Sequence, residues 1–382
     1  MSIRTIRMVI AGGGTGGHLQ PAVGAVEELR ARGVDLDLLW IGSHDGAERA
    51  AAESVGARYA AIATGKFRRY LDLKTFVDTG RVPAGILQAR RVLTAFKPDL
   101  VFSTGSFVSV PTVLASRGVA PVLSHEQTTV IGLATRINLR FSDVLALTFA
   151  STERRLKGFR GRVVVTGNPV RASLLTGDAD RGRAAFGFSA ETPVLFVTGG
   201  ARGASPINTR VAELLPDLLE TAQVLHQTGP AGANDDAAMM RARQAEWPEH
   251  VRGRYVVREF IGEELADVYA MADVVVGRAG AGSVAQIGVL GTPTILIPLV
   301  PTGGDEQTLN ARSLADVGGA MLLAQSEASP ERLRKEITSL LGDPTRRAAM
   351  RAAALSVGKP EAAARLADEL LRLADQRRPS EV

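Results

Sequence analysis

The chain contains no cysteine, which excludes disulfides and thiolate metal ligands and fits a reducing compartment. No apolar run approaches the roughly 20 residues that a bilayer-spanning helix needs. Glycines interrupt the apolar start MSIRTIRMVIAGGG too early for a signal peptide, so a cytoplasmic protein is expected. Low-complexity tracts are missing. So are helix-turn-helix, zinc and RNA-binding patterns, and nucleic acid is not an expected partner. Charged residues make up only 22% of the chain against 45% apolar, the balance of a globular protein, and 382 residues suffice for two ordinary domains.

Short apolar, β-branched runs recur with helical stretches between them: 7–11, 36–41, 59–63, 100–103, 121–124, 144–148 and 163–166. Continuous rather than alternating apolar runs predict strands buried on both faces, hence a parallel α/β layer structure. The rhythm restarts at 194–198, 223–227, 255–258, 273–277, 294–299 and 320–324. Gly167, Asn168 and Pro169 punctuate the chain between the two sets. The expected domains are therefore 1–168 and 169–355, both Rossmann-like. A terminal helical segment, 356–382, with its helix over 360–377, is expected to pack back across them. Open parallel sheets bind ligands beyond the carboxyl ends of their strands, so the cleft between two such domains is the expected site.

Residues Val9 to Pro21, VIAGGGTGGHLQP, read as strand, tight turn and helix start, with five glycines leading to His18. A helix N-terminus favours a neutral imidazole, the form a general base needs, so His18 is a candidate base. The spacing Gly12-x-Gly14-x-x-Gly17 also satisfies the dinucleotide fingerprint, but Asp35 and Asp37 open the second strand, whereas a ribose acid belongs at its end. That reading is rejected. His125, Glu126 and Gln127 follow an apolar run where ligands bind, although Glu126 could instead cap a helix.

In the second half, TGGARGA at 198–204 repeats the glycine-rich turn, and RAGAGSVAQ at 278–286 offers helix-start amides and the Ser283 hydroxyl to a phosphate. Residues 304–310, GDEQTLN, supply side chains that pair with sugar hydroxyls. The acidic pairs at 35/37 and 178/180 lie in an expected strand and linker, and no His cluster supports a metal. Between Lys66 and Lys97, eight basic residues face two acidic ones, for a local charge of +6. Interleaved Phe67, Tyr70 and Phe76 make this segment either a solvated helix face or a surface for anionic membrane.

In order, GGGTGGH, GKFRRY, PDLVFSTGSFVSVP, HEQ, GNPVR, TGGARGA, RAGAGSVAQ and DEQTLNA resemble the motifs of the MurG family across nearly the whole chain. The resemblance implies a GT-B fold and an inverting transferase of peptidoglycan synthesis. Such enzymes move N-acetylglucosamine from UDP-N-acetylglucosamine to lipid-linked N-acetylmuramyl-pentapeptide at the cytoplasmic membrane face, with no cofactor and no protein-bound metal. It implies that the first domain takes the acceptor and the second the donor, with Thr15, Gly16 and Gly17 bordering the transfer site. In such a reaction the expected catalytic residues are His18, taking the acceptor's proton directly or through a water, and Glu126, orienting His18 or the acceptor. Arg171, Ala281, Gly282 and Ser283 would lie near the diphosphate, Ile261 near the uracil and Gln307 near the donor sugar. Lys66, Phe67, Arg68, Arg69, Tyr70 and Phe76 would meet the membrane. Three positions of the substrate set depart from the family pattern: Thr128 replaces an asparagine, Ala201 a serine and Gln286 a glutamate. These departures keep two alternatives open, a non-catalytic UDP-sugar-binding protein and another GT-B enzyme such as a 2-epimerase.

Overall fold

In the computed structural model, which describes residues 5–14, 16–65, 73–231, 235–300 and 305–376 (backbone alone for 73–81), every paired strand runs parallel to its neighbour. The chain divides into two compact units. One extends to Arg171 and resumes at Pro360; the other is Ala172–Lys359.

The first unit holds β1 (Ile6–Ala11), β2 (Leu36–Gly42), β3 (Arg58–Ala61), β4 (Leu100–Ser103), β5 (Val122–Glu126), β6 (Val144–Leu147) and β7 (Arg162–Val165). Their spatial order is β3-β2-β1-β4-β5-β6-β7. Alternate residues of one strand enter different cores, as a period of two requires. Met8 and Ile10 join a cluster with Leu19 and Val26 of the helix Gly16–Ala31 and Leu366, Leu370 and Leu373 of the terminal helix Ala362–Asp375. Val9 and Ala11 pack on the other face with Ala89, Leu93 and Phe96 of the helix Leu73–Phe96. Both faces are covered, which is why these strands read as unbroken apolar runs.

The second unit holds β8 (Val194–Thr198), β9 (Gln223–Gln227), β10 (Tyr255–Arg258), β11 (Val274–Gly277), β12 (Thr294–Leu296) and β13 (Met321–Leu322), in the order β10-β9-β8-β11-β12-β13. The strand expected over 294–299 stops at Leu296; Ile297 N–H still donates to Gly277 O at 2.8 Å, and Pro298 has no N–H to continue the ladder. The strand expected over 121–124 runs on through His125 and Glu126, both buried, which pair with Ala146 and Leu147.

Each unit buries one strand histidine. His226 of β9 lies with Nε2 3.0 Å from Asn208 Oδ1 and Nδ1 3.1 Å from Tyr255 Oη, and burial lowers its pKa to about 3. The unfolded chain protonates histidine near 6.5 while the folded chain holds His226 neutral. Its contribution to stability is therefore complete above about pH 6.5 and is lost as pH falls toward 3. Between pH 7 and pH 5 this single group should cost about 2 kcal/mol. Urea unfolding followed through Trp247, which packs on Tyr255, should show that loss, and His226→Gln should flatten it; equal losses in both proteins would contradict the account.

Candidate active site

In each sheet the strand order reverses once, between β1 and β4 and between β8 and β11. Helices leave on opposite sides at such a point, opening a crevice beyond the carboxyl ends of the two strands. In the first unit that crevice is bordered by the glycine-rich turn after β1 and by Thr104 and Gly105 after β4. His18 stands in the first turn of the helix Gly16–Ala31, half-buried. Its Nδ1 lies 2.9 Å from Gln127 Oε1 and 3.1 Å from the Thr104 carbonyl oxygen. Gln127, just past β5, is buried, and its Nε2 donates to Thr104 O at 2.8 Å and to His125 O at 3.0 Å. The inner edge of the His18 ring is thus fixed by two residues at neighbouring strand ends.

Glu126 makes no hydrogen bond to His18; it bonds the loop that follows it and the residue preceding the helix Leu133–Asn138. Its Oε1 accepts from Thr128 N at 3.2 Å and Thr128 Oγ1 at 3.0 Å, and its Oε2 from Gly132 N at 3.1 Å. The carboxylate closes its own loop, and the side chain that orients His18 is Gln127. A second buried carboxylate, Glu48, was not singled out in the sequence at all. It accepts from Ser43 N at 2.7 Å, Ser43 Oγ at 2.5 Å and Gly14 N at 3.4 Å. A Cβ added at Gly13 would stand 2.7 Å from its carboxyl group, so a larger residue there would push the carboxylate from its place. An amide of the first glycine-rich turn is therefore occupied by the protein's own carboxylate, a physical reason for it not to serve as a dinucleotide loop.

In the second unit, Gly200 N donates to Thr198 Oγ1 at 3.0 Å. Gln227, at the end of β9, donates from Nε2 to Gly200 O at 3.0 Å and accepts from Ile261 N at 3.1 Å. One side chain ties the glycine-rich turn to the segment holding Ile261, itself buried. Gly203 has φ +73° and a Cβ there would meet Thr228 O at 1.8 Å, so only glycine fits. Ala201 lies exposed in this turn. After β11, Ala281, Gly282 and Ser283 form the first turn of the helix Ala281–Leu290, whose opening amides have no intrahelical acceptor. Arg278 is buried and donates to Ile297 O at 3.1 Å and Pro298 O at 2.9 Å, bracing the end of β12; desolvation lowers its pKa. Gln307 accepts from Leu299 N at 2.9 Å.

Arg171 forms an ion pair with Glu27 of the helix Gly16–Ala31, at 3.0 Å, so a phosphate there would compete with a carboxylate. Thr15, Lys66, Phe67, Arg68, Arg69 and Tyr70 lie outside the described residues, as does the side chain of Phe76. Gly16 and Gly17 open the helix that carries His18. An apolar cavity of about 180 Å³ opens between the helices Ser106–Ala115 and Leu133–Asn138, lined by Phe107, Val110, Leu133, Ala134 and Ile137. Among the described residues no cluster of His, Asp and Glu could hold a metal ion, and no helix is long and apolar enough to cross a membrane.

The glycosyltransferase family 28 N-terminal domain matches residues 8–146, and the glycosyltransferase family 28 C-terminal domain matches residues 194–368. A protein of Lachnospira eligens named UDP-N-acetylglucosamine–N-acetylmuramyl-(pentapeptide) pyrophosphoryl-undecaprenol N-acetylglucosamine transferase is 36% identical over 340 residues, 88% of this chain and 91% of its own length. The protein of that name from Clostridium perfringens is 35% identical over the same shares. The crystal structure of Acinetobacter baumannii MurG superposes with a TM-score of 0.70 at 25% identity, covering 96% of this chain and 99% of that one. The chain belongs to the MurG family. The fold is accordingly GT-B, two parallel-sheet α/β units, as the sequence leads one to expect. A UDP-N-acetylglucosamine 2-epimerase from Neisseria meningitidis, at 14% identity and TM-score 0.67, shares the fold.

Two of the three departures from the MurG family pattern have visible consequences. Tyr269 Oη donates to Gln286 Oε1 at 3.2 Å, so the amide oxygen that replaces a carboxylate is already engaged. Thr128 Oγ1 bonds within the loop, lying 3.0 Å from Glu126 Oε1 and 2.6 Å from Val130 O. Nothing in the structure explains Ala201. The role of Glu48 is open to direct test. Glu48→Ala strands the Ser43 and Gly14 donors and should cost about 1–3 kcal/mol. Amide exchange at Gly14 and Ser43 should quicken with it; unchanged protection at both would remove Glu48 as the anchor of the turn.

Proposed function

We propose that this chain transfers N-acetylglucosamine from UDP-N-acetylglucosamine to the muramyl 4-hydroxyl of lipid-linked N-acetylmuramyl-pentapeptide, with inversion at the anomeric carbon. The observation that carries the reading is the near end-to-end match to transferases of that name, 91% of their length. In the reaction the acceptor oxygen bonds to the anomeric carbon as the bond from that carbon to the UDP oxygen breaks. The acceptor's proton passes to His18, and UDP leaves with the bonding electron pair. Donors aimed at a diphosphate in advance stabilise the charge as it develops. The amides at Ala281, Gly282 and Ser283, with the Ser283 hydroxyl, suit that task in the second unit. Ile261 is assigned to the uracil, Gln286 to the ribose and Gln307 to the donor sugar; Arg171 contributes if the diphosphate displaces Glu27.

The acceptor's lipid places the reaction at a membrane surface, so we assign the chain a peripheral site on the anionic cytoplasmic leaflet. Basic and aromatic residues at 66–76 support this assignment. So does the cavity beside exposed Leu133, whose helix carries exposed Arg136.

Incubation with labelled UDP-N-acetylglucosamine and the lipid-linked acceptor in anionic vesicles tests the reading. Label should appear in the lipid fraction in step with UDP release. Donor bound but unreacted would make the chain a binding protein, and label in a free altered sugar would make it an epimerase; either result overturns the proposal.

A further inference from the structure

The hydrogen bonds around His18 form a chain with a fixed direction, beginning at a backbone carbonyl in the core. His125 is fully buried, with Nε2 2.9 Å from the Gly167 oxygen. A carbonyl only accepts, so this nitrogen carries the proton. A neutral imidazole has one N–H, which leaves a lone pair on His125 Nδ1. Gln127 Nε2 stands 3.1 Å from that lone pair. The same amide nitrogen faces the Thr104 and His125 carbonyl oxygens at 2.8 and 3.0 Å. Three acceptors therefore share its two protons, the shortest contact being to Thr104 O and the two on His125 competing for the other, and the reversed amide would set an oxygen against two oxygens. The orientation of Gln127 is thus decided by its surroundings, and Oε1 must point at His18 Nδ1, 2.9 Å away. The Thr104 oxygen, 3.1 Å from the same nitrogen, is a second acceptor. Two acceptors facing Nδ1 require a proton on it, and the His18 lone pair falls on Nε2.

We propose that Gln127 and His125 are positioning residues that set the tautomer of His18, holding its proton on Nδ1 and its basic lone pair on Nε2. The inference rests on the reading of His18 as the base for the acceptor hydroxyl. In water a free histidine interchanges between its two neutral forms. Only the form with the lone pair on the outer nitrogen can take a proton from a bound substrate, because Nδ1 is enclosed by Gln127 and Thr104. Gln127 supplies direction without a negative charge, unlike a carboxylate partner. The relay works only while His125 stays neutral: a proton on its Nδ1 would confront the Gln127 amide nitrogen with another donor. Burial, with a smaller repulsion from His18, lowers the His125 pKa to about 4 and preserves that state.

Long-range proton–nitrogen correlation spectra of the full chain with labelled imidazoles test this without any substrate. The chain has only five histidines, and His18→Gln and His125→Gln variants assign the two signals. At pH 7.5 His18 should show a protonated Nδ1 and unprotonated Nε2, and His125 the reverse. Gln127→Leu leaves the Thr104 carbonyl as the one remaining acceptor of the two at Nδ1 and should raise the share of the tautomer protonated on Nε2. It should lower kcat about 10–100-fold, the range found when a metal-bound histidine loses the partner that orients it, while UDP affinity stays within about twofold of the wild type. A His18 in the wild type protonated on Nε2, or a Gln127→Leu variant with tautomer and kcat unchanged, would overturn the proposal. A wild-type His18 protonated on Nε2 overturns the proposal even if Gln127→Leu does not fold, and Gln127→Asn, which keeps a carboxamide, serves as the second variant. A correct tautomer in a chain that transfers no sugar would fault the assigned reaction instead.

Discussion

A parallel sheet whose winding reverses leaves a crevice at the reversal, and every group that works in such a crevice must come from a strand's end or the turn after it. This constraint governs both units. In the first, the turn after β1 carries His18, the residue after β4 supplies the Thr104 carbonyl, and the residue after β5 is Gln127. In the second, the turn after β8 is clamped by Gln227 from the end of β9, and the helix after β11 begins at Ala281. The two units solve the same problem with a buried glutamine each. A carboxamide can donate and accept at once, so it can join two strand ends without placing an uncompensated charge in the interior.

The strands were largely legible because parallel strands buried on both faces are unbroken apolar runs, and β4, β8, β9 and β10 fall where the runs fall. The reading failed where polar residues lie inside a strand. His125 and Glu126 look like a loop, yet they continue β5 because tertiary partners satisfy them: the Gly167 carbonyl for one, Thr128 and Gly132 for the other. The glycines before His18 single it out as a candidate. Its partner could not be found so, since the choice between Glu126 and Gln127 depends on which side chain a strand's alternation turns toward Thr104. Glu48 and Gln227 carried weaker signals still. Each acts on a turn distant in sequence, and nothing in its immediate neighbours points to that turn.

The departures from the family pattern fall on hydrogen-bonding positions and leave the crevices intact. Gln286 is held by Tyr269 through its oxygen, which leaves its amide N–H groups to donate, whereas a carboxylate only accepts. Thr128 retains a hydroxyl tied to Glu126 in place of a carboxamide. On the proposed assignments the chemistry separates from the donor's recognition. His18, the proposed base, and its partners Thr104 and Gln127 lie in the first unit, whereas the residues assigned to uracil, ribose and donor sugar lie in the second.

That separation makes one measurement decisive. Turnover of the lipid-linked acceptor by His18→Ala, set beside its equilibrium affinity for UDP, asks whether the imidazole serves the chemical step alone. The account predicts that kcat falls about 100-fold or more, as loss of a general base does, with UDP affinity unchanged. Turnover close to that of the wild type would contradict it and remove His18 from the reaction.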